Sequence, residues 1–293
     1  MLAKRLIYGL ASLFLVSLLL FALGFYSSGS VVFATNLQGV GAALRESFEA
    51  NLNLDQSFWA QYTAWLKNAL RLDFGNSLLS GQSVTSLVLP LFFNTLLLVS
   101  LSLILLFATA LVICLASFKF AFLSAVVEWF CVSFFALPSF ALALLVLLVF
   151  GIYFEIESNL VLALLSMLLG HLVLFIRVFN ASLKTTLNST FITASFARGL
   201  SKARVYGFIL PLHSLHTLLT YTASNLAGFL SSAYGVEVVL AYEGMGKLSL
   251  DAVLFKDYPV VIFIGLCSVV SVFLINVAAE LLLGFLNKRQ ANA

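Results

Sequence analysis

Charge is what this sequence has least of. Asp, Glu, Lys and Arg make up 9% of its 293 residues, where a soluble domain carries about a quarter, and the mean hydropathy is +1.11. Together these exclude a soluble globular fold. Acidic residues are scarcer still in the middle of the chain, where none occurs between Glu157 and Glu237. Cysteine is nearly absent: Cys114, Cys131 and Cys267 fall inside or at the ends of apolar runs, without CxxC or Cys/His spacing, and read as small core residues. A phosphate-binding loop is missing too. "GMGK" at 244–247 resembles its end, but that motif needs Gly at position 241 and Ser or Thr at 248, and the chain has Ala241 and Leu248. Of three histidines, His213 and His216 stand three apart and His171 lies elsewhere. That spacing suits two ligands on one helix face, yet no Cys or carboxylate lies nearby, so hydrogen bonding to neighbouring helices is the competing reading.

What the chain has in abundance is long apolar runs. Six are long enough to cross about 30 Å of hydrocarbon: about 6–27, 90–117, 128–151, 159–178, 210–232 and 260–285. They show no period-two alternation, and unpaired backbone is intolerable in lipid, so the expected fold class is all-α, a polytopic membrane protein with six transmembrane helices. Lys4 and Arg5 ahead of the first run imitate a signal peptide, but "GFYSSGSVVFA" is a poor cleavage site and the run reads as a retained anchor.

Basic residues in short loops orient such a chain. With the N-terminus inside, Lys4, Arg5, Lys119, Arg177, Lys184, Arg198, Lys202, Arg204, Lys288 and Arg289 share one side, against Arg45, Lys67, Arg71, Lys247 and Lys256 on the other. Ten of the twelve acidic residues fall opposite the basic loops. Both termini are therefore expected in the cytoplasm. The remaining two acids, Glu128 and Glu280, lie toward cytoplasmic ends of spans, where anchoring is a better account than a proton relay. An ion-coupled secondary carrier, the alternative function, needs coupling groups nearer the midplane and repeated spans.

Outside, about 28–89 forms one long segment. There Asp55 or Ser57 is placed to cap a helix whose Phe58, Tyr62, Trp65, Leu66 and Ala69 share a face. That face either lies on the outer headgroups or packs on the spans. Inside, about 178–208 joins the fourth and fifth spans and contains "FITASFARGLSKARV". Glycine at 199 permits a left-handed corner between two short helices, projecting into the cytoplasm. Its basic residues suit either topology and anionic lipid, or a docking partner.

That stretch is similar to the coupling loop of binding-protein-dependent ABC importer permeases. The longer "RVFNASLKTTLNSTFITASFARGLS" resembles the dipeptide, oligopeptide and nickel branch. Further resemblances follow in order: "LNLDQSFWAQYTAWLKNALRLDFGNSLLSGQSV", "ALPSFALALLVLL" and "YGVEVVLAYEGMGKLSLDAVLFKDYPVV". The resemblance implies a type I importer permease with an N-terminal anchor and external segment over 1–89 and a five-span core over 90–293. Its partners would be a second homologous permease, two cytoplasmic ATPase subunits, an external solute-binding protein and the lipid bilayer, with no nucleic acid. It implies a bacterial inner-membrane location and no catalytic site or bound cofactor, ATP being used by partner subunits. Thr193, Ala194, Ser195 and Gly199 would occupy the coupling signature, with Arg198 and Lys202 beside it.

The chain departs from the pattern at Thr193, where many importers have Glu, and at Tyr242 and Glu243, where the peptide branch commonly has Trp and Pro. "YSSGSV" replaces the usual Pro-Gly-Asp-Pro. Polar groups on apolar spans, Asn94, Ser139, His171, Ser224 and Asn225, are pathway candidates, each equally suited to interhelical hydrogen bonding. Glu237, Glu243 and Asp251 are the expected external contacts. Cargo is expected to be peptide or nickel and other metal chelates.

Overall fold

The computed structural model describes residues 2–28, 57–119, 122, 126, 127, 129, 138–155 and 159–291. Asp55, Glu128 and the side chains of Ser139 and Glu280 lie outside the described residues. The described elements are α1 (Leu2–Ser28), α2 (Phe58–Ala69), α3 (Val84–Lys119), α4 (Ser139–Val146) running into a π segment π1 (Leu147–Tyr153), and α5 (Asn159–Leu187). They continue with α6 (Thr190–Ala197), the single turn α7 (Lys202–Arg204), π2 (Val205–Ile209), α8 (Leu210–Ser224), α9 (Leu226–Val239), α10 (Met245–Leu254) and α11 (Tyr258–Ala291). Within them, strand-like pairing is confined to one isolated bridge, Asn76 with Ser83.

Among the described residues, four stretches are long and apolar enough to span a bilayer: Ile7–Tyr26, Val84–Ser117, Asn159–Leu187 and Tyr258–Ala278, with shorter apolar helices at Phe140–Tyr153 and Leu226–Val239. One of the six expected runs is broken in the structure. The continuous fifth span over 210–232 is instead two helices meeting at Asn225, whose backbone (φ −108°, ψ 10°) leaves the helical range. The cause is local. Thr220, Thr222 and Ser224 return their hydroxyls, and Asn225 its Nδ2, to the carbonyls four residues back, and such back-bonding competes with the backbone ladder and bends helices.

The chain divides into two compact units, Met1–Asn94 with Gly244–Phe273, and Thr95–Glu243 with Leu274–Ala293. In the first, the aromatic face of α2 packs on α1. Phe21 lies 5.8, 5.4 and 5.5 Å from the rings of Phe58, Tyr62 and Trp65, and Ser17 Oγ meets the buried Tyr62 hydroxyl at 2.9 Å. Packing on the spans is thus the outcome for this helix, while Trp59 stays exposed. Ser57 holds the N-cap position without a side-chain cap bond.

After α2 the chain makes a tight turn over 73–83, with Gly75 and Gly81 at φ +80° and +70°. Asp257, buried at the head of α11, fastens it: its carboxylate accepts from Ser77 Oγ at 2.5 Å and from the Leu78 amide at 3.0 Å. Ser77 Oγ in turn accepts from the Leu79 and Ser80 amides. Removing this acceptor strands buried donors, so Asp257→Ala is expected to cost about 2–3 kcal/mol of local stability. Limited proteolysis of membrane-embedded protein should then cut within 75–82, and unchanged protection would contradict this role.

The second unit is built around α5. Leu172, Phe175, Phe179 and Leu183 are buried along it, at the three- and four-residue spacing of one helical face, with Leu162 and Met167 buried nearer its start. Both α4 and α8 pack against it.

Candidate functional site

The basic segment folds as a capped corner. Ser189 takes the extended conformation that starts α6, its hydroxyl turned back to the Thr186 carbonyl at 2.6 Å. The helix ends in a Schellman closure. The Gly199 amide donates to the Phe196 carbonyl at 2.9 Å and the Leu200 amide to that of Ser195 at 3.3 Å, with Gly199 at φ +79°. Ser201 then caps the next turn, accepting from the Arg204 amide. Gly199, expected from its place between two helix-compatible stretches to turn left-handed, therefore bends the chain there.

α6 has two faces. Ile192 and Ser195 are buried, and Ser195 Oγ returns to the Phe191 carbonyl at 2.9 Å. Thr193, Ala194, Arg198, Gly199 and Lys202 are exposed. Of the four signature residues Thr193, Ala194 and Gly199 are thus exposed, as are Arg198 and Lys202 beside them, and Ser195 faces inward.

This corner is tied to the two spans that carry it. Phe191 lies 4.3 Å from the His213 ring and Phe196 lies 6.1 Å from Tyr206. Above them a ladder of hydroxyls joins α5 to α8: Ser182 Oγ meets Thr217 Oγ1 at 3.0 Å and the Ser214 carbonyl at 3.3 Å, and Ser214 Oγ meets Thr186 Oγ1 at 3.2 Å. Ser214 is fully buried. His213 is thereby a packing partner of α6. Sequence reading picked out His213 but missed the ladder, whose only trace is hydroxyl residues recurring on two apolar spans.

A second feature lies deeper. A cavity of about 260 Å³ is lined by His171 and Phe175 of α5, Tyr221 and Thr222 of α8, Asn225 at the break, and Gly228, Phe229 and Ser232 of α9, with Leu174. The structure thus brings together two pathway candidates, His171 and Asn225. The His171 ring lies tilted against Phe229 at 4.2 Å, and its Nε2 is shielded from solvent without a hydrogen-bond partner among the described residues. Ser224 instead closes on the Thr220 carbonyl. Asn94 belongs to the other compact unit, and Ser139 begins α4. Tyr221, Thr222 and Ser232 were missed, although for the first two the polar run Thr220–Asn225 inside an apolar span was the signal.

Of the acidic residues expected at external contacts, Glu237 is fully buried in α9, which keeps its carboxylate off the surface of this chain, whereas Glu243 is exposed and Asp251 half-buried. Burial, and then the Glu237 charge, push the Tyr242 phenol up.

Comparison with known proteins agrees in kind with this arrangement. Residues 109–292 match the family described as "Binding-protein-dependent transport system inner membrane component". The chain is 25% identical over 278 residues to the oligopeptide transport system permease protein AppB of Bacillus subtilis, covering 85% of this chain and 86% of that one. It is 25% identical over 303 residues to the oligopeptide transport system permease protein OppB of Haemophilus influenzae, covering 98% and 97%. It is also 26% identical over 245 residues to the metal-staphylopine import system permease protein CntB of Staphylococcus aureus, covering 78% and 76%.

Proposed function

Because this chain belongs to the binding-protein-dependent transport system inner membrane components, we propose that it forms half of an import pathway whose work is done by ATPases docked on the α6 corner. The second half is a homologous permease, and two cytoplasmic ATPase subunits and an external solute-binding protein complete the importer. The termini and the corner face the cytoplasm. The cargo is a peptide or a metal chelate, such as a nickel chelate, the two cargo classes named for AppB, OppB and CntB. The chain binds no nucleotide itself; ATP is consumed by the partners.

The observation that carries this reading is the exposed, Schellman-closed corner, packed through Phe191 on His213 and through Phe196 on Tyr206, between two spans that Ser182, Thr186, Ser214 and Thr217 hydrogen-bond to each other. A short helix held so rigidly transmits displacement rather than absorbing it. His171 and Asn225 line the pathway, while Asn94, Ser139 and Ser224 contribute elsewhere along it. Glu243 and Asp251 are the external contacts for the binding protein or the second permease, with Glu237, buried in α9, in the same segment of the sequence. By this reading residues 1–89 anchor the chain and 90–293 form the transporting core. Crosslinking from a cysteine at position 197 should capture an ATPase subunit, and uptake into vesicles should require ATP hydrolysis. Uptake by this chain alone, or capture of no ATPase, would overturn the proposal.

The ladder makes a further prediction. Thr186→Val combined with Ser214→Ala removes the interhelical hydrogen bond between their hydroxyls, worth about 1 kcal/mol. The double variant is expected to lower uptake roughly fivefold while ATP hydrolysis by the assembled complex continues. Equal loss of both activities would point to failed assembly instead.

A further inference from the structure

We propose that the apolar cavity between α1, α2 and the early parts of α3 and α11 holds one acyl chain of an anionic phospholipid, whose phosphate rests on Lys67 and Arg71. The cavity measures about 580 Å³, within the roughly 300–1,000 Å³ of sites that take small ligands. It lies wholly inside the compact unit formed by Met1–Asn94 with Gly244–Phe273. Leu13 and Phe14 of α1, Leu66 of α2, Phe92 of α3 and Phe263 of α11 supply walls, and the Phe74 ring, beyond α2, stands 4.1 Å from that of Phe263. Native interiors leave few voids larger than a water molecule, because atoms lining a void forfeit their contacts. One this large calls for an occupant.

The lining decides what kind. It contains no Asp, Glu, Lys, Arg or His, and apolar cavities stay dry. Its one hydroxyl, Ser17 Oγ, already donates to the Phe14 carbonyl at 2.8 Å or meets the Tyr62 hydroxyl at 2.9 Å. A polar cargo would find nothing here to replace its lost water, whereas a hydrocarbon chain asks for no partner. The bilayer is the nearest source of one. Leu10 and Phe14 of α1, and Leu70 and Leu72 beyond α2, line the cavity and are exposed as well, so it opens along the apolar side of a span and a chain enters sideways from the hydrocarbon.

Charge selects the lipid. Lys67, in the last turn of α2, and Arg71 alternate with the lining residues Leu66, Leu70 and Leu72, and both are exposed. Among the described residues neither forms an ion pair. Asp73, the nearest acid in sequence, has Oδ1 engaged by the Gly75 amide at 3.0 Å. Two cations beside the mouth of an apolar slot match a phosphate joined to an acyl chain, since basic residues at a membrane surface attract anionic lipid. This site is independent of ATPase docking on α6 and needs only that α1 and α11 stand in a bilayer.

Photoreactive lipids test it. The full-length protein, alone and in its assembled complex, is reconstituted in phosphatidylcholine vesicles with a trace of phosphatidylglycerol or phosphatidylcholine bearing a diazirine in the acyl chain, and labelled residues are mapped by mass spectrometry. Phosphatidylglycerol should label Leu10, Leu13, Phe14 and Leu66 in preference to Leu15, Leu19 and Leu23, exposed positions of α1 outside the cavity. Lys67→Gln with Arg71→Gln should lower that labelling about tenfold and labelling by the phosphatidylcholine probe less than about twofold. Ala69→Trp, which places an indole in the cavity, should remove the cavity label while Leu15, Leu19 and Leu23 keep theirs. Uniform labelling of α1, or an equal response of both probes to the charge variant, overturns the proposal. So does cavity labelling that disappears when the complex assembles, which would give the space to a partner subunit.

Discussion

Gly199→Val is expected to abolish most ATP-driven uptake while the protein still inserts and accumulates normally. The corner sits at φ +79°, a conformation that costs an ordinary L-residue roughly 1–2 kcal/mol and a β-branched one more. Among the described residues no atom lies within 4 Å of the position a Cβ would take, so a Cβ there meets open space and the penalty is one of backbone strain. A penalty of that size depletes the bent state about 5–30-fold, and uptake should fall by a similar factor. Gly199→Asn supplies the control, because asparagine tolerates the left-handed region and should retain most activity. Parallel measurements of membrane content and uptake decide the matter. Normal uptake in the valine variant would show that the corner does not need its shape.

That corner was legible because its signals are local: basic residues without acidic neighbours, and a glycine between two helix-compatible stretches. The α2 helix was legible for the same reason, although its aromatic face left the choice of partner open until Phe21 and Ser17 were seen against it. The break at Asn225 was hidden because nothing there is Gly or Pro. It arises from four side chains returning to carbonyls, which a hydropathy count scores as slight polarity in an apolar run. Pairing of Asp257 with Ser77, 180 residues apart, and burial of Glu237 leave no periodic trace at all. Charge counting assigned the Glu237 region to the outside, and it has no means of telling a carboxylate beneath a surface from one upon it.

The two faces of α6 separate docking from folding, and Ala194→Arg is the substitution that uses the difference. Ala194 is exposed beside Thr193, Arg198 and Lys202, so a long cationic side chain there meets solvent in this chain and need not disturb its packing. If an ATPase groove receives this face, the same side chain fills the space of a close contact and adds charge to an already basic patch. Loss of a central contact in an interface costs about 2 kcal/mol or more, or about 30-fold in affinity. Copurification of the ATPase subunits should therefore fall at least that far, with uptake falling alongside. Ser195 lies within the same signature but points inward, its hydroxyl satisfied by the Phe191 carbonyl, so Ser195→Ala should keep the ATPases bound. Titrating the ATPase subunits against the two variants in nanodiscs distinguishes them. Equal affinity for both would place the docking surface somewhere other than this face of α6.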